Sequence, residues 1–135
     1  MTFNLCIYLF LLFYIFFPLH KDQSAYTQIG MASYYSNALE GNPTASGEAY
    51  DSKNYTAAHK SLPFGTIVNV MNLDNGKEVR VKINDRGPFS QNRIIDLSYA
   101  AAKTLEMTRK GLVEVRIVVI EPASGYSVAD SVTIK

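Results

Sequence analysis

Cysteine occurs once in the 135 residues, at Cys6, and histidine twice, at His20 and His59. Everything after Cys6 therefore lacks a disulfide, and a folded core there must suffice without staples. One histidine and no cysteine beyond residue 20 leave no metal-ligand spacing, so neither a metal site nor a cofactor is expected. Blocks of one charge are missing too. Thirteen Lys and Arg are interspersed with twelve Asp and Glu for a net charge of +1, which argues against a nucleic-acid partner. No internal repeat and no low-complexity segment is present.

The first feature that is present is an apolar run, Phe3 to Phe17, reading FNLCIYLFLLFYIFF. It is short for a membrane span of roughly 20 residues and close to a signal-peptide apolar region of about 7–15. Residues 1–25 are read as a signal peptide or an N-terminal apolar leader, with Ser24-Ala25 the nearest candidate cleavage point. Left uncleaved, the leader would associate the protein with the membrane. Cys6 lies near the start of the apolar run, with only Phe3-Asn4-Leu5 of it before the cysteine, instead of following the run after small residues, so it does not form a lipobox and lipid anchoring is not expected. Residues 26–29 read as a linker, 30–121 as one domain and 122–135 as a tail. About 90 residues can bury a core of their own.

Within the domain, Met31 to Tyr35 reads as a first strand, and Ser36 to Tyr50 as a long loop punctuated by Gly41, Pro43 and Gly47. Tyr55 to Ala58 is a short strand, and Leu62-Pro63-Phe64-Gly65 a turn. TIVNVM (66–71) and KEVRVKI (77–83) alternate and flank Asn75-Gly76, a strong hairpin signal. Asp85 to Asn92 reads as a loop, Ile94-Ile95 as the start of a short strand, and Ser98 as the cap of a helix from Tyr99 to Met107. LVEVRIVVI (112–120) closes the domain. Short strands with one helix predict a mainly β chain folded as a small barrel.

Five stretches in order resemble one family: GMASYY (30–35), TASGEAY (44–50), TAAHKSLPFG (56–65), NDRGPF (84–89) and RIIDLS (93–98). Together they resemble the RlpA family (rare lipoprotein A), endolytic peptidoglycan transglycosylases. The resemblance implies a six-stranded double-psi β-barrel with one or two short helices. It implies a lyase that cuts the MurNAc-GlcNAc β-1,4 bond of glycan strands, preferably strands lacking stem peptides, with formation of 1,6-anhydroMurNAc. It also implies work on the cell wall, in the periplasm or wall space, and peptidoglycan glycan strands as the partner. Many members add a lipobox cysteine and a C-terminal SPOR domain. Cys6 is not placed for the first, and no counterpart of the second follows Ile120. The family's acidic and histidine positions match Glu48, Asp51, His59 and Asp85.

Taken as chemistry, Asp85, Glu48 and His59 are the candidate catalytic residues, and Asp51, Arg86, Tyr35 and Phe89 the candidate substrate-binding ones. Glycosidic cleavage needs an acid to protonate the leaving oxygen. A lytic transglycosylase then uses the sugar's own C6 hydroxyl as nucleophile, so one carboxyl group can give and take the proton. Each residue has a blander reading. Asp85 can cap turn amides, and Glu48 can be a solvated surface acid. Asp51 can accept bonds from its own loop, and His59 can be a satisfied polar residue. Arg86 and Arg93 can bind sugar carboxylates or pair with Asp85 and Asp96. Tyr35 and Phe89 can stack on sugar rings or pack. Asp96 is assigned to structure, as an ion pair with Arg93 or a bond to the helix start. The rival functions are a non-catalytic, expansin-like glycan-binding module on the same barrel and a structural envelope protein whose acids only cap loops.

Overall fold

The computed structural model describes residues 25–127; the apolar leader lies outside them. Among the described residues six strands are present: β1 (Thr27–Tyr34), β2 (Thr56–His59), β3 (Ile67–Asn72), β4 (Glu78–Asp85), β5 (Arg93–Leu97) and β6 (Val113–Glu121). One α-helix, α1 (Tyr99–Thr104), follows β5, and a single 3-10 turn (Asn37–Leu39) follows β1. The strands close into a barrel in the order β1-β5-β2-β4-β3-β6. Two pairs are parallel, β1 with β5 and β2 with β4, and the other four are antiparallel. Closure leaves no free sheet edge.

The hairpin expectation holds and has a local cause. Val68 lies opposite Val81 and Val70 opposite Val79, so alternation on both strands sends one set of β-branched side chains inward. The Gly76 amide donates to the Asn72 carbonyl at 2.8 Å, and Gly76 takes a φ of 76°, where a side chain is disfavoured. The core gathers Val68, Val70, Val81, Ile83, Ile95, Leu97, Val115 and Ile117 with Ala32 and Ala57. Leu105 and Met107, just after α1, join it.

Three boundaries differ from the sequence reading. Residues 27–29, expected in a linker, belong to β1 because Thr27, Gln28 and Ile29 pair with Val118, Ile117 and Arg116. β4 runs on through Asp85, which was placed in a loop, because Ala58 of β2 pairs with it. The helix stops at Thr104, short of Met107: Leu105 caps it and Glu106 takes a positive φ of 53°. Its start is as expected, with the Ser98 hydroxyl accepting from the Ala101 amide at 3.3 Å. At Gly30 strands β1 and β5 approach closely. A Cβ there would lie 2.6 Å from Cγ2 of Ile94, so β1 approaches β5 closely only because this position has no side chain.

The stretch 36–50 has internal order despite its turn-rich composition. Gly41 donates to the Tyr50 carbonyl, Tyr50 to the Asn42 carbonyl and Thr44 to the Glu48 carbonyl, at 2.7–2.8 Å. Pro43 and Ala49 form an isolated bridge. Tyr50, 3% exposed, anchors the base of this excursion by accepting the Tyr99 amide on its hydroxyl.

Candidate functional site

Asp85 sits at the C-terminal end of β4, where the barrel wall meets the 36–50 excursion. Three donors converge on its carboxylate. The Tyr35 hydroxyl donates to Oδ2 at 2.5 Å, and the Ala45 and Arg86 amides donate to Oδ1 at 2.8 Å each. The Ser46 amide donates to the Asn84 carbonyl at 3.2 Å, so the tip of the excursion is tied to β4 beside Asp85. Tyr35 is held in turn by an edge-on contact with Tyr50, ring centroids 4.7 Å apart. Burial, then the hydrogen bond to Asp85 and the neighbouring negative charges, push the Tyr35 hydroxyl well above the ordinary tyrosine range. It therefore keeps its proton and acts as a fixed donor.

Sheet register brings a further acid close. Ala58 of β2 pairs with Asp85 on one side and Asp96 on the other. The two aspartates lie two strand spacings apart, roughly 10 Å between backbones, with only a methyl side chain between them. Asp96 keeps the partner expected of it, with Arg93 Nε 3.2 Å from Oδ1. Burial nevertheless raises its pKa; Arg93 opposes that shift and the charge on Asp85 adds to it. Reading the sequence linked Asp96 to Arg93 but not to Asp85. The parallel pairing of β2 with β4 that links them leaves no local mark.

Glu48 lies in the excursion that caps Asp85. Its carboxylate is 49% exposed and accepts from Lys82 Nζ at 2.9 Å. No hydrogen bond joins Glu48 to Asp85 among the described residues, so the two acids share a neighbourhood through the loop backbone.

His59 is placed differently. It is 2% exposed, and Nδ1 accepts the amides of Ser61 and Leu62 at 3.1 and 3.0 Å. That leaves the proton on Nε2, which faces Gln28 Oε1 at 3.1 Å. Burial, with Arg86 and Lys60 adding to it, pulls its pKa down to about 4. His59 is thus neutral at pH 7, with both nitrogens occupied and no hydrogen bond to Asp85 or Glu48.

Arg86 turns toward the same place. Its guanidinium donates to the carbonyls of Leu62, at 2.9 Å, and His59, at 3.3 Å, and stacks over the Phe64 ring at 4.0 Å. Asp51 accepts the Lys53 amide in a local turn at 2.9 Å. Phe89, just after the cis Gly87-Pro88 bond, is 92% exposed. The site therefore joins Asp85, Tyr35 and the Ala45 amide, with Glu48 in the capping loop and Asp96 across β2. His59 and Arg86 form a brace behind it. The Ala45 amide was not anticipated, because a backbone donor leaves no trace in residue identity.

A cleft of about 160 Å³ opens beside Asp85, walled by Tyr35, Leu39, Pro43 and Tyr50. Among the described residues no group of three or more His, Cys, Asp or Glu could hold a metal ion, and no helix is long and apolar enough to cross a membrane.

The closed six-stranded barrel and its carboxylate cleft define the class: a double-psi β-barrel. Solved structures agree on the fold. The Streptomyces papain inhibitor matches with a TM-score of 0.59 at 24% identity, over 71% of this chain and 96% of that one. An expansin of Clavibacter michiganensis matches with a TM-score of 0.57 at 24% identity, over 74% and 53%. The family model described as lytic transglycolase matches residues 27–117, and the chain belongs to that family and to its RlpA group. A probable endolytic peptidoglycan transglycosylase RlpA of Treponema pallidum is 56% identical over 93 residues, 69% of this chain and 29% of that protein. The endolytic peptidoglycan transglycosylase RlpA of Pseudomonas aeruginosa strain UCBPP-PA14 is 46% identical over 112 residues, 83% of this chain and 33% of that protein. The chain thus spans about a third of the length of these relatives.

Proposed function

We propose that this protein is a peptidoglycan lytic transglycosylase that cuts the MurNAc-GlcNAc bond within glycan strands and leaves a 1,6-anhydroMurNAc end. The observation that carries the reading is the Asp85 carboxylate, oriented by Tyr35, Ala45 and Arg86 at the mouth of a cleft. The names of the relatives support the substrate and the reaction class.

In the reaction the C1–O bond to the leaving sugar breaks, and its oxygen takes a proton from a carboxyl group of the site. The C6 hydroxyl of the same MurNAc attacks C1, and its proton passes to the carboxylate left behind, so no water is consumed. The attacking hydroxyl is already tethered beside C1, which gives it the entropic advantage of an intramolecular nucleophile over free water. Asp85 and Glu48 are the acids assigned to this proton traffic. Tyr35 orients Asp85. Phe89 offers an exposed ring for stacking on a sugar. His59 and Arg86 act as positioning residues, holding the turn after β2 against the Arg86 backbone that donates to Asp85. The work takes place outside the cytoplasmic membrane, where its substrate is, with the leader supplying export or attachment.

Mass analysis of purified glycan strands after digestion tests the reading. Ends lighter by one water than reducing MurNAc are expected. Reducing ends would make the protein a hydrolase. Strands bound but left intact would favour a binding module, the reading to which the expansin-like fold lends itself.

A further inference from the structure

The cleft beside Asp85 has a composition that the chemistry above does not use. Leu39, Pro43, Tyr35 and Tyr50 make its walls largely apolar, and Asn42 and Thr44 line it as well, the Thr44 hydroxyl already donating to the Glu48 carbonyl. Leu39 is 40% exposed, so an apolar side chain is offered to solvent beside the carboxylate. The Asn42 backbone is committed to Leu39 and Tyr50, while its side-chain amide has no hydrogen-bond partner among the described residues. Among the described residues no Lys or Arg lines the cleft, and Asp85 is one of the residues that do.

We infer that this cleft is a subsite for the C2 acetamido group of an N-acetylated hexosamine. The inference rests on the transglycosylase reading for its choice of sugar and extends it to the substituent that is recognised. A glycan strand presents three kinds of group near the scissile bond. The 3-O-lactyl group is an anion, and a cleft with a carboxylate and no cation repels it. A hydroxyl gains nothing from apolar walls. An acetamido group has a methyl suited to Leu39 and Pro43 and an amide suited to Asn42. It stands on C2, the carbon next to C1, so a sugar whose C1–O bond lies near Asp85 carries it to this place. Size agrees: a cleft of about 160 Å³ has room for an acetamido group.

The test compares two neutral oligomers that differ only at C2, chitohexaose with acetamido groups and cellohexaose with hydroxyls. Affinities are measured by titration calorimetry for the wild type, Leu39→Ala and Asn42→Ala. Chitohexaose is expected to bind the wild type about tenfold more tightly, the combined value of one buried methyl and one hydrogen bond. Each variant should lose several-fold of that preference while its affinity for cellohexaose stays within about twofold. Both positions are exposed, so folding is not at stake, and a melting curve confirms it. Equal affinities in the wild type, a preference that survives both variants, or no binding of chitohexaose at millimolar concentration overturns the inference. The product analysis on peptidoglycan is scored separately. Anhydro ends without an acetamido preference reject the subsite alone, whereas the preference without anhydro ends rejects the transglycosylase alone.

Discussion

The Tyr35 hydroxyl donates to Oδ2 of Asp85 across fifty residues of sequence, while the Ala45 and Arg86 amides hold Oδ1. The carboxylate has little freedom to rotate, and its one side-chain donor is a phenol whose pKa is raised by burial and by Asp85 itself. Removing only the hydroxyl, in Tyr35→Phe, leaves the ring contact with Tyr50 in place. We expect kcat to fall by roughly tenfold to a hundredfold, a loss of about 1.4–3 kcal/mol typical of one hydrogen bond to a charged group. KM for soluble glycan strands should change little. A rise in KM with kcat unchanged would make Tyr35 a substrate-binding residue instead.

Asp85→Asn and Glu48→Gln separate chemistry from scaffolding. The Asn oxygen can still accept from Ala45 and Arg86, and its NH2 can turn to Tyr35 as a donor. Glu48→Gln weakens an exposed pair with Lys82, worth at most about 1 kcal/mol. Both variants should melt within a few degrees of the wild type and lose on the order of 10²–10⁴ in rate. Wild-type turnover in both would remove the acids from the mechanism.

His59 sets a pH dependence of stability. Its pKa is lowered from 6.5 to about 4 in the folded protein, so between these values the unfolded chain binds a proton that the folded one does not. Stability therefore falls as pH drops from about 6.5 to about 4 and gains nothing further from this group above 6.5. The full effect is on the order of 3 kcal/mol. Denaturant melts across that range should show the slope, and His59→Gln should flatten it.

Asp96 is expected to serve stability more than turnover. Asp96→Ala strands the Arg93 guanidinium, which lies 3.2 Å from the carboxylate, at a cost of about 1–3 kcal/mol. Asp96→Asn should recover most of that loss, because it keeps an acceptor while removing a charge that burial disfavours. A stable Asp96→Ala protein without activity would place this acid in the reaction, a role its nearness to Asp85 across Ala58 makes worth testing.

Chelation makes a simpler prediction. Among the described residues no group of three or more His, Cys, Asp or Glu could hold a metal ion. Product formation should be the same with and without EDTA, followed by the release of anhydro ends; a loss restored by a divalent cation would contradict the carboxyl mechanism.

By itself the sequence determined what is local. Alternation in 66–71 and 77–83 with Asn75-Gly76 between them specified the hairpin, since a two-residue period and a turn residue act within a few positions. Ser98 specified the helix start in the same way, and the order of the motifs specified the family. The tertiary structure decided what depends on distant pairing. Thr27–Ile29 carry no strand pattern strong enough to read, and become β1 because β6 offers them partners. Asp85 and Asp96 flank Ala58 only because β2 runs parallel to β4 and antiparallel to β5. His59 matched a catalytic motif, yet its ring is taken up by Gln28, Ser61 and Leu62. Residue type at a motif position says which group is supplied; which way that group faces is set by barrel closure, which brings residues from every part of the chain into one register.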